Sequence, residues 1–300
     1  MSTTADWIAV DWGTSNMRAW AMGPDNAILA HEKGSKGMGQ LAPSEFEPAL
    51  LEIIAEWLDP NAVIPVFACG MVGARQGWME AAYAPTPTQP IAAQPTRAPV
   101  KDKRIAVFIL PGVSQATPPD VMRGEETQIA GYMTSQGNHS VVCLPGTHSK
   151  WVEIAGGKIE RFRTAMTGEV FALLAEKSVL RHSVATSDWD ADAFSGGVRE
   201  GLETPDLVTK LFSIRAASLL DGTSPQMSKA RLSGLLIGAE LAGTREFWTG
   251  KSVALIGASG LSALYQSALE LAGISAHQYD THEMTLAGLC AARSAMEDAR

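Results

Sequence analysis

The sequence predicts an α/β protein built from two similar halves, and three observations support this fold class. Short apolar strands open each half, at residues 7–32 and again at 140–162, and a turn with glycine and hydroxyl side chains follows the first strand each time. Continuous apolar segments typical of buried strands then alternate with segments of helical periodicity. Because the plan occurs twice, we expect two lobes, residues 1–138 and 139–300, with a cleft between them.

In the first half, three strands over residues 7–32 precede a helix and further buried strands. Ser44 opens the helix, Glu47 completes the Ser-x-x-Glu spacing of a capping box, and Pro60 ends the helical pattern. Residues 84–99 hold five prolines, which predicts an irregular surface segment or a loop over the site. The other elements expected here are strands at 63–68 and 105–110 and a helix over 125–132.

The second half repeats this plan. Its opening strands are separated first by the turn at Gly146 and Thr147 and then by Gly156-Gly157. The elements expected after them are helices at 168–182, 206–220 and 228–243, a buried strand at 252–256, and helices at 260–273 and 284–298.

Composition excludes several classes of protein. The 300 residues are 46% hydrophobic and 19% charged, which is typical of a globular chain with a large core. A formal net charge of −8 disfavours a nucleic-acid-binding surface. Cys69, Cys143 and Cys290 form no CxxC pair, the N-terminus lacks a signal-peptide pattern, and no apolar run approaches the ~20 residues of a membrane span. We therefore expect a cytoplasmic protein that binds neither nucleic acid nor membrane, and a homodimer stays open.

The stretch from Asp11 to Arg18 carries the strongest functional signal. Gly13 lets the backbone approach a ligand closely, and the N–H groups and hydroxyls of Thr14 and Ser15 can donate hydrogen bonds to phosphate. Asp11 adds a hard oxygen ligand suited to Mg²⁺, directly or through water. An ordinary hairpin, in which the acid and the hydroxyls satisfy their own turn, explains this segment alone equally well.

Two later glycine turns shift the balance towards phosphate binding. Gly146 and Thr147 stand in the second half where Gly13 and Thr14 stand in the first, and they would supply a second set of phosphate donors. The turn from Gly257 to Gly260 lies between a strand and a helix, where glycines let a ring or a phosphate approach the helix N-terminus. Close packing of that helix on its strand is the ordinary alternative.

Glu125 and Glu126 are adjacent carboxylates at the start of a predicted helix. Such pairs often only complement the positive end of the helix dipole. A carboxylate that enters a cleft at this point could also accept a proton from a substrate hydroxyl.

Together these motifs resemble the sugar-kinase/actin/chaperone superfamily of ATP-binding proteins, and within it the 2-dehydro-3-deoxygalactonokinase family. The resemblance covers nearly the whole chain and rests on the segments Ile8–Ser15, Cys69–Trp78, Arg123–Gln128, Leu144–Trp151 and Met166–Phe171. It implies a two-lobed ribonuclease-H-like fold of the actin/hexokinase type, with ATP and Mg²⁺ as cofactors. The implied reaction phosphorylates the 6-hydroxyl of 2-dehydro-3-deoxy-D-galactonate in galactose or galactonate breakdown.

The resemblance also implies which residues hold the nucleotide. Asp11 would position Mg²⁺, the two early turns would hold the phosphates, and the late turn would border adenosine. The nucleotide-binding candidates are Asp11, Gly13, Thr14, Ser15, Asn16, Arg18, Gly146, Thr147, His148, Lys150, Gly257 and Gly260.

The base and the substrate contacts follow from the same resemblance. Glu125 is the first candidate for the base that accepts the hydroxyl proton, with Glu126 and Asp120 in reserve. The substrate carboxylate calls for a guanidinium fork, for which Arg75 is the first candidate and Arg123 the second. Gln76, next to Arg75, is a further substrate-binding candidate.

One departure from the superfamily pattern bears on the metal. Many members place an acid before Gly-Thr, where this chain has Leu144-Pro145. Asp11 is therefore the main candidate for the metal ligand. The phosphate motifs do not separate the implied activity from a kinase for another sugar acid or an amino sugar. They also leave open a non-kinase ATP-binding switch protein of the same superfamily.

Overall fold

The computed structural model describes residues 4–91, 94–135, 137, 139–203 and 206–298 as an α/β structure. Backbone contacts divide the chain into two compact units. Unit 1 comprises Met1–Asn138, Gly156–Arg161 and Thr281–Arg300, and unit 2 comprises His139–Ala155 and Phe162–Asp280. This division differs from the expected ranges 1–138 and 139–300 at two places: residues 156–161 and 281–300 are grouped with the first unit.

A mixed sheet forms the centre of unit 1, with strand order β3-β2-β1-β4-β7-β6, and a smaller sheet has the order β5-β8-β9. The strands are β1 (Trp7–Trp12), β2 (Met17–Met22), β3 (Ile28–Gly34), β4 (Ile64–Cys69), β5 (Tyr83–Pro85), β6 (Thr96–Arg97), β7 (Ile105–Ile109), β8 (Gly112–Gln115) and β9 (Asp120–Met122). The first three strands pair antiparallel, whereas β1, β4 and β7 run parallel. The parallel strands are buried on both faces, as their continuous apolar sequences predict.

Unit 2 contains a second sheet of the same topology. Its strands are β10 (Val141–Leu144), β11 (Ser149–Ala155), β12 (Lys158–Ala165), β13 (Val253–Gly257) and β14 (Ala276–Asp280), in the order β12-β11-β10-β13-β14. The opening strands β10 and β11 pair antiparallel, and β10, β13 and β14 run parallel. Each unit therefore begins with a strand, a glycine turn and a strand, and the predicted α/β class with a repeated plan is confirmed.

Helices flank both sheets. They are α1 (Phe46–Ile54), α2 (Glu125–Ser135), α3 (Thr167–Lys177), α4 (Arg181–Val184), α5 (Ala191–Glu203), α6 (Leu207–Leu220), α7 (Pro225–Gly243), α8 (Arg245–Trp248), α9 (Ser259–Leu271) and α10 (Thr281–Asp298). In unit 1, α2 and α10 cross at two glycines: a Cβ at Gly131 would lie 1.9 Å from the carbonyl oxygen of Met284, and a Cβ at Gly288 would lie 1.9 Å from that of Thr127. The crossing therefore tolerates only glycine at these two positions, and it packs α10 against α2.

The structure corrects the predicted capping box. Residues 43–45 form a 3₁₀ turn, and α1 begins only at Phe46. The Glu47 carboxylate does not return to Ser44: its Oε1 accepts hydrogen bonds from the N–H groups of residues 101 and 102, both at 2.7 Å. Glu47 therefore stabilises a distant loop, and the Ser-x-x-Glu spacing was misleading.

Other elements differ from the predicted ones. The segment 84–99 contributes residues to β5 and β6, and Ala92 and Ala93 lie outside the described residues. Strand β14 and helix α5 were not predicted, and the helix expected at 168–182 is divided into α3 and α4. No helix within the described part of the chain is long and apolar enough to cross a membrane.

Candidate active site

The first glycine turn forms the tip of the β1–β2 hairpin in unit 1. The N–H of Gly13 donates to the carbonyl of Asn16 at 2.9 Å and closes the turn. The N–H groups of residues 38 and 39 donate to the carbonyls of Gly13 and Thr14, both at 2.9 Å. Thr14, Ser15 and Asn16 are exposed at the tip. The turn is thus held by its carbonyl groups, and its exposed hydroxyls can donate to a phosphate.

Asp11 lies near the end of β1, directly opposite Arg18 of β2. Arg18 Nη1 is 3.7 Å from Asp11 Oδ2, and the same nitrogen contacts Nδ1 of His282 at the start of α10. Because a guanidinium can only donate, His282 Nδ1 is the acceptor in this contact. Burial raises the pKa of Asp11, and the charge of the nearby Arg18 opposes that rise.

Two glycines keep the space beside Asp11 open. Gly70 follows β4 with φ +89°, and a Cβ there would lie 2.8 Å from the Trp12 carbonyl oxygen and 3.6 Å from Asp11 Oδ1. Gly124 precedes α2 with φ +106°, and its Cβ would lie 3.2 Å from the Cα of Gly70. Both backbones adopt the left-handed region that favours glycine. Side chains at these positions would narrow the approach to the Asp11 carboxylate.

The two adjacent carboxylates at the start of α2 have different surroundings. Glu125 is half-buried, its Oε2 accepts from the N–H of Arg123 at 3.0 Å, and its charge contributes to the raised pKa of Asp11. Glu126 is 2% exposed, and both its carboxylate oxygens lie 2.8 Å from the N–H of Gly124, which donates to them. Burial, followed by the charge of Glu125, raises the pKa of Glu126 to about 8. Glu126 therefore caps its own helix, whereas Glu125 is an electrostatic neighbour of Asp11.

Asp120 belongs to the smaller sheet of unit 1. It begins β9, pairs in register with Gln115 of β8, and its Oδ1 accepts from the N–H of Val121 at 2.8 Å. Asp120 is not among the groups that shift the pKa of Asp11.

The two candidate arginines also differ. Arg75 and Gln76 are exposed on the loop that follows β4, and Arg75 makes no hydrogen bond or ion pair within the described residues. Arg123 is 7% exposed, stacks 4.2 Å over the ring of Tyr83 and donates from Nη2 to the carbonyl of Ala81 at 2.7 Å. Arg123 therefore anchors the loop that carries Arg75, although its Nε and Nη1 have no partner among the described residues.

The second glycine turn connects β10 to β11 in unit 2. Thr147 and His148 are exposed, and the start of α3 packs against the turn. A Cβ at Gly168 would lie 2.3 Å from the carbonyl oxygen of Gly146, so glycine is required there. The N–H of Glu169 donates to the Thr147 carbonyl at 2.9 Å, and the Glu169 carboxylate lies 2.5 Å from His148 Nε2. Lys150, the second residue of β11, is buried.

The late glycine turn joins β13 to α9 in the same unit. A Cβ at Gly257 would lie 2.9 Å from Ser262 Oγ and 3.1 Å from the Pro145 carbonyl oxygen, so this glycine permits close packing. A Cβ at Gly260 would meet nothing within 4 Å, and space for a ligand is open on that side of the helix start.

A cavity of about 210 Å³ adjoins these two turns of unit 2. Its wall is mainly apolar and aromatic, with glycine backbone at one side. The lining residues are Gly146, Thr167, Gly168, Phe171, Trp189, Lys229, Ser233, Leu236, Ile237, Leu261, Leu264 and Tyr265. An apolar slot next to glycine turns suits a planar heterocycle whose polar substituents leave through the open end.

Three features of the site were missed from sequence. His282 gave no signal, because it lies in no motif and reaches Arg18 only through the packing of α10 on α2. Glu169 belongs to a segment that carried the resemblance, but its pairing with His148 was not predicted. The cavity is built from three helices, the turn at Gly146 and Trp189, and it had no local sequence signature.

Comparisons with known proteins match nearly the whole chain. A family model described as 2-keto-3-deoxy-galactonokinase matches residues 11–292. A probable 2-dehydro-3-deoxygalactonokinase of Rhizobium meliloti (strain 1021) is 44% identical over 306 residues, and the match covers 99% of each chain. The 2-dehydro-3-deoxygalactonokinase of Escherichia coli (strain K12) is 37% identical over 276 residues, covering 90% of this chain and 91% of that protein.

A solved structure gives the same result. The crystal structure of a Sinorhizobium meliloti protein assigned to the same activity superposes with a TM-score of 0.90 at 42% identity, covering 97% of this chain and 99% of that one. The match therefore extends over both units. The chain belongs to the 2-keto-3-deoxy-galactonokinase family.

Proposed function

We propose that the chain catalyses the ATP-dependent phosphorylation of the 6-hydroxyl of 2-dehydro-3-deoxy-D-galactonate, in the cytoplasmic breakdown of galactose or galactonate. Membership of the family carries this proposal. The arrangement of Asp11, Arg18 and Glu125 supports it, because a metal-binding acid, a cation and a second carboxylate are the groups that phosphoryl transfer needs. Neither the family nor the relatives favour a non-kinase switch protein.

The nucleotide would be held largely by backbone groups and hydroxyls. In unit 2, the turn at Gly146 and Thr147 offers donors to phosphate, and the adjoining cavity would bind the adenine ring. Gly260 borders open space, which would let the ribose or the adenine ring pass the start of α9. In unit 1, Thr14 and Ser15 offer further donors to phosphate.

The carboxylate oxygens of Asp11 are ligands of the kind that Mg²⁺ prefers. No cluster of three or more His, Cys, Asp or Glu side chains in the described part of the chain could hold a metal by itself. The partly buried Asp11 carboxylate would therefore bind the ion together with phosphate oxygens and water, which is the usual coordination of Mg²⁺ in kinases. When bound, the ion neutralises charge on the phosphates.

Glu125 is our candidate for the base. Its carboxylate is half-buried and is an electrostatic neighbour of Asp11, so a substrate hydroxyl near the metal could pass it a proton. Glu126 is less suited, because it is enclosed by its own helix start and its raised pKa keeps it mainly protonated at neutral pH. We accordingly expect Glu125→Gln to lower turnover by ~10²–10⁴-fold with nucleotide binding intact, and Glu126→Gln to fall well short of that.

Arg75 is our candidate for recognising the substrate carboxylate. It is exposed and has no ion pair with any residue that the structure describes, whereas Arg123 is buried and contacts Ala81 and Tyr83. A guanidinium can bind a carboxylate through two parallel hydrogen bonds, which selects an acid over a neutral sugar.

The product of the purified enzyme tests the proposal. Incubation with Mg·ATP and 2-dehydro-3-deoxy-D-galactonate should release ADP, and phosphorus–proton NMR of the product should locate the phosphate on the 6-oxygen. Absence of ADP release, or phosphate on another oxygen, would contradict the proposed reaction.

A further inference from the structure

A buried carboxylate lies behind the nucleotide-facing elements of unit 2 and has no role in the proposed chemistry. Glu240 of α7 is 7% exposed. Its Oε1 accepts from Trp151 Nε1 at 2.8 Å, and its Oε2 accepts from the hydroxyl of Tyr265 at 2.7 Å. The Thr167 hydroxyl is a further side-chain hydrogen-bond partner of this carboxylate. A buried carboxylate with several donors is held in one orientation and orients its donors in turn.

The protonation of Tyr265 determines which groups donate and which accept in this hydrogen-bond network. Burial and the charge of Glu240 raise the pKa of Tyr265 well above its ordinary value, so its hydroxyl stays protonated and donates to Glu240. The same oxygen lies 2.7 Å from Ser149 Oγ, and since the Tyr265 proton is already used, Ser149 donates in that contact. Tyr265, Ser149 and Glu240 therefore form one chain of hydrogen bonds.

Each donor belongs to an element that builds the nucleotide side of unit 2. Tyr265 of α9 and Thr167 of α3 line the cavity. Ser149 begins β11, directly after the turn at Gly146 and Thr147. Thr167 also begins α3, whose next residue, Gly168, packs against that turn.

We propose that Glu240 is a positioning residue for nucleotide binding, which aligns the second phosphate turn and the cavity wall by holding Thr167, Tyr265 and β11 at once. This inference rests on the proposed function only in naming ATP as the occupant. Glu240 does not line the cavity, so it acts through its donors. If the elements are less well aligned, a smaller fraction of molecules is competent to bind, and the apparent dissociation constant rises by that factor.

The test removes one donor and leaves the carboxylate in place. Removal of Glu240 itself would leave buried donors unpaired and endanger the fold. Thr167→Val deletes only the hydroxyl that links α3 to Glu240. Its control is Thr244→Val, which makes the same chemical change on a threonine that donates to the main-chain carbonyl of Glu240 at 2.9 Å rather than to the carboxylate. Tyr265→Phe is a second test variant that keeps the aromatic wall.

Affinity for a non-hydrolysable ATP analogue, measured by calorimetry, is the first readout. We expect about a tenfold weaker affinity for Thr167→Val and for Tyr265→Phe, and wild-type affinity for Thr244→Val. In turnover assays the ATP KM should rise while the sugar-acid KM and kcat change little. Equal affinity loss in Thr244→Val, or unchanged affinity in both test variants, would overturn the proposal.

The two proposals fail in different ways. If the wild-type chain binds the analogue but does not turn over the sugar acid, the proposed function fails while the binding comparison still decides the role of Glu240. If turnover is present and the variants bind like wild type, only the role of Glu240 fails.

Discussion

Glu126→Gln should change how the stability of the protein depends on pH. Glu126 is 2% exposed, and burial together with Glu125 raises its pKa from 4.5 to about 8. In the unfolded chain the pKa returns to its ordinary value, so the folded state binds the proton more tightly. The stability that this proton contributes is complete below pH 4.5 and is lost as the pH rises through about 8.

The size of this effect follows from the shift. One pKa unit corresponds to about 1.4 kcal/mol, so the rise to about 8 represents about 5 kcal/mol between acidic and alkaline conditions. Glutamine resembles the protonated form, and its amide oxygen can still accept from the N–H of Gly124. Glu126→Gln should therefore lack this loss, and its advantage over wild type should grow as the pH rises.

Urea denaturation at pH 5, 7 and 9, followed by tryptophan fluorescence, measures the difference in unfolding free energy. Glu125→Gln is the control, because it leaves Glu126 in place but removes the neighbouring charge that helps to raise its pKa. The unfolding free energy of that variant should still fall as the pH rises, but the fall should be centred at a lower pH than in wild type. Parallel pH profiles for wild type and Glu126→Gln would refute the assignment of Glu126 as a buried, mainly protonated helix cap.

The remaining predictions concern the binding of Mg·ATP and of the sugar acid. Asp11→Asn should lower turnover by about 10²–10³-fold and raise the Mg²⁺ concentration needed for half-maximal activity, since a metal contact supplies several kcal/mol; wild-type activity would remove the metal site from Asp11. Arg75→Ala should raise the KM for the sugar acid at least about 30-fold and leave the ATP KM unchanged, and an unchanged sugar-acid KM would shift the role to Arg123. Gly260→Ala should fold normally, because a Cβ there meets nothing, but should weaken nucleotide binding in calorimetry; unaltered affinity would exclude a ligand at that turn.

Much of the fold was predictable because its signals are local. The apolar strands, the glycine turns and the repeated opening of each unit are properties of short segments, and the turn from Gly13 to Asn16 forms where it was expected. The helix start at α1 shows the limit of such reasoning. Glu47 had the correct spacing for a capping box, yet it bonds to residues 101 and 102, and only the tertiary structure provides those partners.

The candidate site was predictable in its parts but not in its contacts. Asp11 and Arg18 are adjacent on a hairpin, so their pairing follows from strand register. His282 reaches Arg18 from the far end of the chain, because two glycine contacts pack α10 on α2. The sequence put Glu125 ahead of Glu126 as the base but did not show that Glu126 is the buried one of the two. Burial depends on what packs around a residue, and no local pattern reports it.

A substrate comparison tests whether the protein is a sugar-acid kinase. Coupled ADP release should be measured with 2-dehydro-3-deoxy-D-galactonate, neutral hexoses, an amino sugar, other sugar acids and no acceptor. We predict that kcat/KM for 2-dehydro-3-deoxy-D-galactonate exceeds that for neutral hexoses by orders of magnitude, with little ATP hydrolysis in the absence of an acceptor. Equal turnover of galactose, or ADP release that no acceptor increases, would contradict it.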